Sequence, residues 1–307
     1  MKGKKILITG GAGFIGSHLA ARLAEENDVV VLDDLSSGTK DNLKGLPVMF
    51  VKGSILNKKL VEDLTKGCSY VFHLAAMASV QDSVEFPEKC FQVNIVGSNI
   101  VMDASVKHNV KKVVFCSSAA IYGDDPRLPK TEMMIPLPIS PYAASKLAIE
   151  QQCIVNHKLH NLEFACLRLF NVFGPKQNPK SPYSSVISKF MFSALNNETL
   201  LIYGDGSQTR DFIFVDDVVN AIIKATDSPK SGMFNIASSK RITVKGLANM
   251  IVGLADSESR IELKPAREGD IKHSWASTKK ARALLNWNPI FSMQEGLAKT
   301  INWFKQK

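Results

Sequence analysis

The stretch Thr9-Gly10-Gly11-Ala12-Gly13-Phe14-Ile15-Gly16 constrains the fold of this chain more than any other. It follows a short apolar run, Ile6–Thr9, and opens a segment in which Phe14, Leu19 and Leu23 lie on one helical stripe to about Glu26. Glycines at 10, 13 and 16 permit a tight turn, close approach of a phosphate and close packing of helix on strand. Backbone amides at the helix start then face a pyrophosphate. A glycine triplet alone also suits an ordinary strand–helix turn, but a strand before it and a helix after it favour a dinucleotide site. Asp33 ends the next apolar run, 17 residues after Gly16. A carboxylate there accepts hydrogen bonds from ribose hydroxyls and repels a 2′-phosphate, which favours NAD over NADP. Asp34 fits the same role or caps a turn, and Ser36, Ser37 and Gly38 can line the adenosine side.

Short apolar runs recur along the chain: Ile6–Thr9, Val29–Asp33, Val48–Val51, Tyr70–Leu74, Val113–Ser117, Phe164–Phe170 and Phe234–Ala237. Continuous rather than alternating apolar character implies strands covered on both faces. With helical patterns between them, they predict an α/β fold, a Rossmann-type doubly wound parallel sheet. After Gly174 the character changes. Residues 175–183 hold three prolines, Gly204–Gly206 marks a turn, and strand-like runs thin out. We therefore expect residues 1–175 to form the dinucleotide-binding domain, with 211–240 returning to it. Residues 176–307 would mainly form a smaller C-terminal lobe over the carboxyl edge of the sheet. The 307 residues suit one large domain or two closely joined ones.

Composition excludes several function classes. Hydrophobic residues make up 45% and charged residues 22%, so disorder does not describe the bulk of the chain. The net charge of +9 is dispersed, with small clusters at Lys2/Lys4/Lys5, Lys111/Lys112 and Lys279/Lys280 and no aromatic residues between them. That pattern speaks against nucleic acid and suits an anionic small substrate. No apolar run spans a bilayer, and Ile6–Ile8 is too short for the core of a signal peptide despite the preceding lysines. Cys68, Cys90, Cys116, Cys153 and Cys166 are odd in number and widely spaced, which suits neither a disulfide framework nor a zinc site. A reduced, cytoplasmic enzyme without a structural metal is expected.

Tyr142 and Lys146 lie four apart on a helix predicted from Tyr142 to about His160, with Pro141 in its first turn and Ser140 as its N-cap. Ser117 and Ser118 close the fifth apolar run, at the edge where ligands bind in such sheets. A phenol of pKa near 10 is a poor base at neutral pH. A neighbouring ammonium and a cationic nicotinamide would favour the phenolate, and lowering it three units takes about 4 kcal/mol. A Tyr-x-x-x-Lys spacing alone is common by chance. Behind a glycine fingerprint and a strand-end serine pair it points to proton transfer beside a nicotinamide.

With these motifs in place, the chain resembles the extended short-chain dehydrogenases/reductases, and within them the UDP-hexose 4-epimerases. The segments that carry the resemblance are TGGAGFIGSHL, VVVLDDLSSG, VFHLAA, SSAAIYG, PYAASK, RLFNVFGP and RDFIFVDDV, spread from Lys5 to about Trp287. The resemblance implies that Tyr142 takes the proton of the sugar 4-hydroxyl, that Ser118 hydrogen-bonds the 4-oxygen, and that Lys146 holds the nicotinamide ribose and tunes Tyr142. It implies a tightly held NAD, a transient 4-keto sugar and a homodimer paired through helices that include the one bearing Tyr142. Leu74, Ala75 and Ala76 match the segment passing the cofactor diphosphate, and Asn94 matches a support residue. Phe14, Ile15, Ile55, Ser117, Phe170 and Val172 complete the implied cofactor contacts. Ser54 stands where the family often has an acid for the adenine amino group.

The same resemblance places a UDP-sugar on Asn171, Gln177, Ser185, Val186, Arg210, Arg267, Asp270 and Ser274. Two guanidinium groups suit a diphosphate. The alternatives are local pairs of Arg210 with Asp211 and of Arg267 with Glu268. Ser274 falls where the family places a gatekeeper beside the sugar. A small residue there admits a 2-acetamido group, so UDP-GlcNAc and UDP-GalNAc are expected alongside or instead of the plain hexoses; the alternative is a serine facing solvent. Ala119 and Ala120 replace the acidic residues that related 4,6-dehydratases and UDP-glucuronate decarboxylases carry before Tyr122-Gly123, and alanines cannot serve as acid or base. A UDP-uronate epimerase, another sugar-nucleotide enzyme of the same fold and a non-catalytic NAD-binding regulator remain as competing readings. His18 and His73 are read as structural residues of sheet-edge or core segments, His157 and His160 as surface residues, and Asp216-Asp217 as a helix N-terminus.

Overall fold

A computed structural model describes residues 1–177, 185–266 and 272–306. Its strands are β1 (Lys5–Thr9), β2 (Asp28–Asp33), β3 (Met49–Lys52), β4 (Tyr70–His73), β5 (Lys112–Ser118), β6 (Glu163–Leu169), β7 (Val172–Phe173), β8 (Leu200–Tyr203), β9 (Thr209–Arg210), β10 (Ile213–Phe214), β11 (Gly232–Ile236), β12 (Ile242–Thr243), β13 (Ile261–Lys264) and β14 (His273–Ser274). The helices are α1 (Phe14–Ala24), α2 (Lys58–Thr65), α3 (Val80–Glu85), α4 (Pro87–Phe91), α5 (Ser98–Lys107), α6 (Pro141–His160), α7 (Val186–Leu195), α8 (Val215–Asp227), α9 (Val244–Ala255), α10 (Lys279–Leu285) and α11 (Met293–Lys305).

The seven apolar runs of the sequence form one parallel sheet in the order β11-β6-β5-β4-β1-β2-β3. Both faces are covered, which is why these strands read as unbroken apolar runs. One face packs Ile6, Ile8, Val29 and Val31 against Leu19 and Leu23 of α1 and Val218 and Ile222 of α8. The other packs Leu7, Val30, Val71 and Val113 against α2, α5 and Ile149 and Cys153 of α6. The chain returns to the sheet late: β11 pairs with β6 after the first strands of the second lobe have been laid down.

The second lobe is built on α7, α9 and α11 around Phe190, Met191, Leu247, Ile251 and Leu297. Its strands are short and dispersed in small sheets, β12-β9-β14 and β13-β8. The two lobes are stitched by buried polar groups. Asp217 accepts from the amides of Ile290 and Phe291, and Trp287 donates to the Asp217 carbonyl. Among the described residues no helix is long and apolar enough to cross a membrane.

Candidate active site

The glycine loop sits where β1 turns into α1. Gly10 has φ +72°, and a Cβ on it would lie 2.6 Å from the Ala75 amide nitrogen. A Cβ on Gly16 would lie 2.2 Å from the Gly10 carbonyl oxygen. Gly13 is the N-cap of α1 and offers no side chain to its first amides, including those of Phe14 and Ile15. Close backbone packing at an uncapped helix start is the cradle a pyrophosphate requires. Asp33 is buried and accepts from the amides of Ala12 (2.9 Å) and Leu35 (2.8 Å), so it braces the loop from below. Burial raises its carboxyl above the usual range, and the two amide bonds oppose the rise. Asp34 takes the alternative role, capping a turn through the Ser36 amide while exposed. Ser36 and Ser37 are exposed beside half-buried Gly38, and Gly38 packs on the Ala12 backbone. The loop, its amides and Asp33 together fit a dinucleotide.

Leu74, Ala75 and Ala76 leave β4 half-buried against the loop. They are pinned by a directed chain. The Ala75 amide donates to Thr9 Oγ1 (3.4 Å), which lies 2.6 Å from His73 Nδ1; His73 Nε2 lies 2.7 Å from Ser98 Oγ, which donates to the Asn94 carbonyl. Ser98 has spent its proton, so Nε2 carries the histidine proton and Nδ1 accepts from Thr9. Burial pushes His73 down to about 3, and the imidazole is neutral. Asn94 lies in a π-helical turn, 92–97, and bonds the Met77 amide, the Met77 carbonyl and Ser145 Oγ. It ties the segment after β4 to the helix that bears Tyr142. Ser54 accepts from the Leu56 amide, and Ile55 is buried against Gly97.

Ser118, Tyr142 and Lys146 converge at the carboxyl end of β5. Ser140 caps α6 through the Ala143 amide, and Pro141 occupies its first turn. The Ser118 hydroxyl accepts from the Ala120 amide at 3.1 Å and lies near enough to the Tyr142 phenol to draw its pKa down. Lys146 Nζ donates to the Cys116 carbonyl at 2.9 Å and lies 5.7 Å from the Tyr142 ring centroid. The expected lowering of the phenol pKa is not produced by the chain's own groups. Burial pushes Tyr142 up to about 12, with Ser118 pulling the other way. Burial also brings Lys146 down to about 8. The ammonium is spent on a strand carbonyl rather than on the phenol, so the further charge that would favour the phenolate must come from what binds.

Other expected residues fall as follows. The Ser117 hydroxyl donates to Glu150 at 2.6 Å. The Phe170 ring is buried beside Tyr122, and Val172 is half-buried in β7. Asn171, exposed beyond β6, donates to the Asp211 carbonyl at 2.8 Å. Gln177 Oε1 accepts from Ser185 Oγ (3.1 Å) and Ser188 Oγ (2.9 Å), fixing the start of α7, where Val186 is half-buried. Arg210 does not pair with Asp211: its guanidinium donates to the Thr209 and Lys272 carbonyls. Asp211 instead accepts from the Ser238 amide and hydroxyl and the Ala276 amide. Ser274 is the register partner of Arg210 across β14 and β9, and it is half-buried rather than open to solvent. Arg267 and Asp270 lie outside the described residues. His18 sits on α1, not at a sheet edge, and bonds the Pro175 carbonyl at 3.0 Å.

Sequence reasoning missed the charged cluster beneath the site. Arg168 on β6 makes a bidentate pair with Glu150 on α6, both fully buried. Arg168 also donates to Tyr122 Oη, which donates to Asn235 Oδ1 on β11. The available signal was an arginine inside the otherwise apolar run Phe164–Phe170, since a charge in a covered strand demands a partner.

Residues 6–237 match the model of the NAD dependent epimerase/dehydratase family. A UDP-glucose 4-epimerase of Mycolicibacterium smegmatis is 38% identical over 311 residues, covering 99% of both chains. Among solved structures, a UDP-N-acetylglucosamine 4-epimerase from Methanobrevibacter ruminantium in complex with UDP-N-acetylmuramic acid superposes with a TM-score of 0.97 at 39% identity, covering 100% of this chain and 99% of that one. A Thermus thermophilus UDP-glucose 4-epimerase in complex with NAD superposes with a TM-score of 0.89 at 34% identity, covering 98% and 99%.

Proposed function

The chain belongs to the NAD dependent epimerase/dehydratase family, and on that premise we propose that it inverts C4 of a UDP-hexose through a transient 4-keto sugar. It is a UDP-hexose 4-epimerase that uses NAD. The observation that carries the reading is the convergence of Ser118, Tyr142 and Lys146 at the end of β5, at the same sheet edge as the glycine loop. NAD, when bound, supplies reversible hydride acceptance. Gly10, Gly13, Gly16 and Asp33 hold it, with the 74–76 segment at its diphosphate. Tyr142 moves the proton of the 4-hydroxyl, Ser118 orients the 4-oxygen, and Lys146 fixes the nicotinamide ribose. The 1–175 segment with 211–240 serves the cofactor, and 176–307 mainly serves the UDP-sugar.

Arg210 and Ser274 share one small sheet, so a diphosphate contact and a sugar contact are set by one register. Serine is small enough beside the sugar to admit a 2-acetamido group. We therefore read UDP-GlcNAc and UDP-GalNAc as substrates, with the plain hexoses also accepted. Five buried free thiols suit a reducing, cytoplasmic setting. Exposed apolar residues on α4, the π-helical turn and α6 suit pairing with a second copy.

The test is equilibration of purified protein, without added NAD, against UDP-GlcNAc and UDP-glucose separately, resolved by NMR. Conversion of both is the expected result. Conversion of UDP-glucose alone would keep the epimerase and remove Ser274 as an open gate. Tyr142→Phe should lower turnover at least about a thousandfold while the protein still releases NAD on denaturation. Unchanged turnover would remove Tyr142 from its role.

A further inference from the structure

Tyr142, Lys146 and Glu150 stand at four-residue intervals on α6 and so share its inward face. Three consecutive residues of β5 receive them. Tyr142 lies near Ser118, Lys146 donates to the Cys116 carbonyl at 2.9 Å, and Glu150 accepts from Ser117 Oγ at 2.6 Å. Only the third of these contacts is backed by a further ion: Arg168 on β6 grips Glu150 through Nε at 3.0 Å and Nη2 at 2.7 Å. From the far side Arg168 reaches Tyr122, which holds Asn235, and Asn235 Nδ2 donates to the Lys130 carbonyl at 3.1 Å. The clamp therefore joins β5, β6 and β11 to the helix that carries the reacting groups.

We propose that Glu150 is a positioning residue for Lys146, fixing its helix turn against β5 and supplying the carboxylate that keeps its ammonium charged. The groups that act on Lys146 from every element packed around it are few. They are Cys116 on β5, Cys90 on α4, Cys166 on β6, His73 on β4, and Tyr142 and Glu150 on its own helix. Burial holds Cys116 up at about 12 and raises Cys90 and Cys166, so the thiols carry no charge near neutrality. His73 is held neutral and Tyr142 is held as the phenol. Glu150 alone in this set remains to balance an ammonium that burial has already weakened to about 8. Arg168 cannot take over, because it carries the same sign as Lys146.

This inference rests on the epimerase reading for its kinetic consequence but not for its direct test. Lysine labelled with 13C at Cε is titrated by NMR in the full chain, and the Lys146 signal is identified by its loss in Lys146→Met. In Glu150→Gln the Lys146 midpoint should fall by about one unit, and Glu150→Asp, which keeps the charge, should restore it. An unchanged midpoint in Glu150→Gln overturns the proposal, whatever the activity does. Should Arg168 left without its partner prevent folding, Glu150→Gln/Arg168→Gln buries no ion; because Arg168 repels Lys146 while the nearer Glu150 attracts it, the midpoint should still fall but by less than in Glu150→Gln, and no fall overturns the proposal. Turnover read alongside should show kcat down about tenfold or more with KM within twofold, and the alkaline limb of the pH profile moved to lower pH. A purely structural role would lower the melting temperature and leave that limb in place. Absence of turnover in the unaltered protein would count against the epimerase reading alone, since the lysine titration needs none.

Discussion

At the scale of single residues, His73 shows how a side chain can serve a site without touching its chemistry. It is 1% exposed and bridges Thr9 to Ser98, and through them the 74–76 segment to the π-helical turn. In the neutral ring that burial enforces, Nδ1 accepts from Thr9 and Nε2 donates to Ser98. The pH consequence has a definite sign. The folded pKa, about 3, lies below the ordinary value of 6.5. Below pH 6.5 the unfolded chain takes up a proton that the folded chain refuses, so the stability present above 6.5 is lost as pH falls toward 3. Between pH 6.5 and 5 the loss reaches about 2 kcal/mol. Urea unfolding at pH 7 and pH 5 should show the unaltered protein losing that much more than His73→Asn. Equal losses would mean that His73 is protonated in the fold. Asp211, raised to about 6 by burial, acts in the opposite sense, gaining stability as pH falls from 6 toward 4, and it is present in both proteins.

At the scale of elements, the turn from β1 into α1 carries the clearest consequence. Gly16 is buried, and a Cβ on it would lie 2.2 Å from the Gly10 carbonyl oxygen and 2.7 Å from Gly11 Cα, both backbone atoms that cannot swing aside. Gly16→Ala should therefore push α1 off β1 and move its first amides. The expected result is a protein that folds with a lowered melting temperature and releases little or no NAD on denaturation. Full NAD content in Gly16→Ala would show that the helix start does not hold the diphosphate. Elements of this kind were legible in the sequence for a physical reason. Val29–Asp33 and Phe164–Phe170 are buried on both faces, so composition alone marks them as strands. The two-residue strands β9 and β14 were not legible, because their pairing is fixed by Arg210 meeting Ser274 across 63 intervening positions and not by any local pattern. The helix α6 read correctly at its start, where Ser140 and Pro141 give local signals. Its mixed inward face did not announce a clamp, because Glu150 makes sense only once Arg168 is beside it. The site was legible where it is built from local motifs, as at Tyr142-x-x-x-Lys146, and not where it depends on a partner from another strand.

At the scale of the whole molecule, charge and apolar surface point in different directions. The +9 net charge is spread over the surface, which suits attraction of an anionic UDP-sugar and opposes close approach of like molecules. Against that repulsion stands a group of apolar side chains that a lone chain leaves in water. Leu159 is 69% exposed and Val155 46%, one turn apart on α6, and Val96 and Phe91 are exposed on the neighbouring π-helical turn and α4. Burying such a side chain completely from full exposure gains about 1.5–3 kcal/mol, so these half-exposed ones gain about half of that each, and a two-fold pairing counts each of them twice. Several together outweigh a dispersed charge that salt screens beyond about 10 Å. Pairing there would also brace the outer side of α6, whose inner side holds Tyr142 and Lys146. Light scattering behind size exclusion should therefore give about twice 33.7 kDa, with a monomer for Val96→Glu/Val155→Glu. A mass of 33.7 kDa for the unaltered protein would remove this face as an interface. A dimer that survives both glutamates would place the interface elsewhere, because two buried carboxylates from each copy, facing one another without partners, are not tolerated.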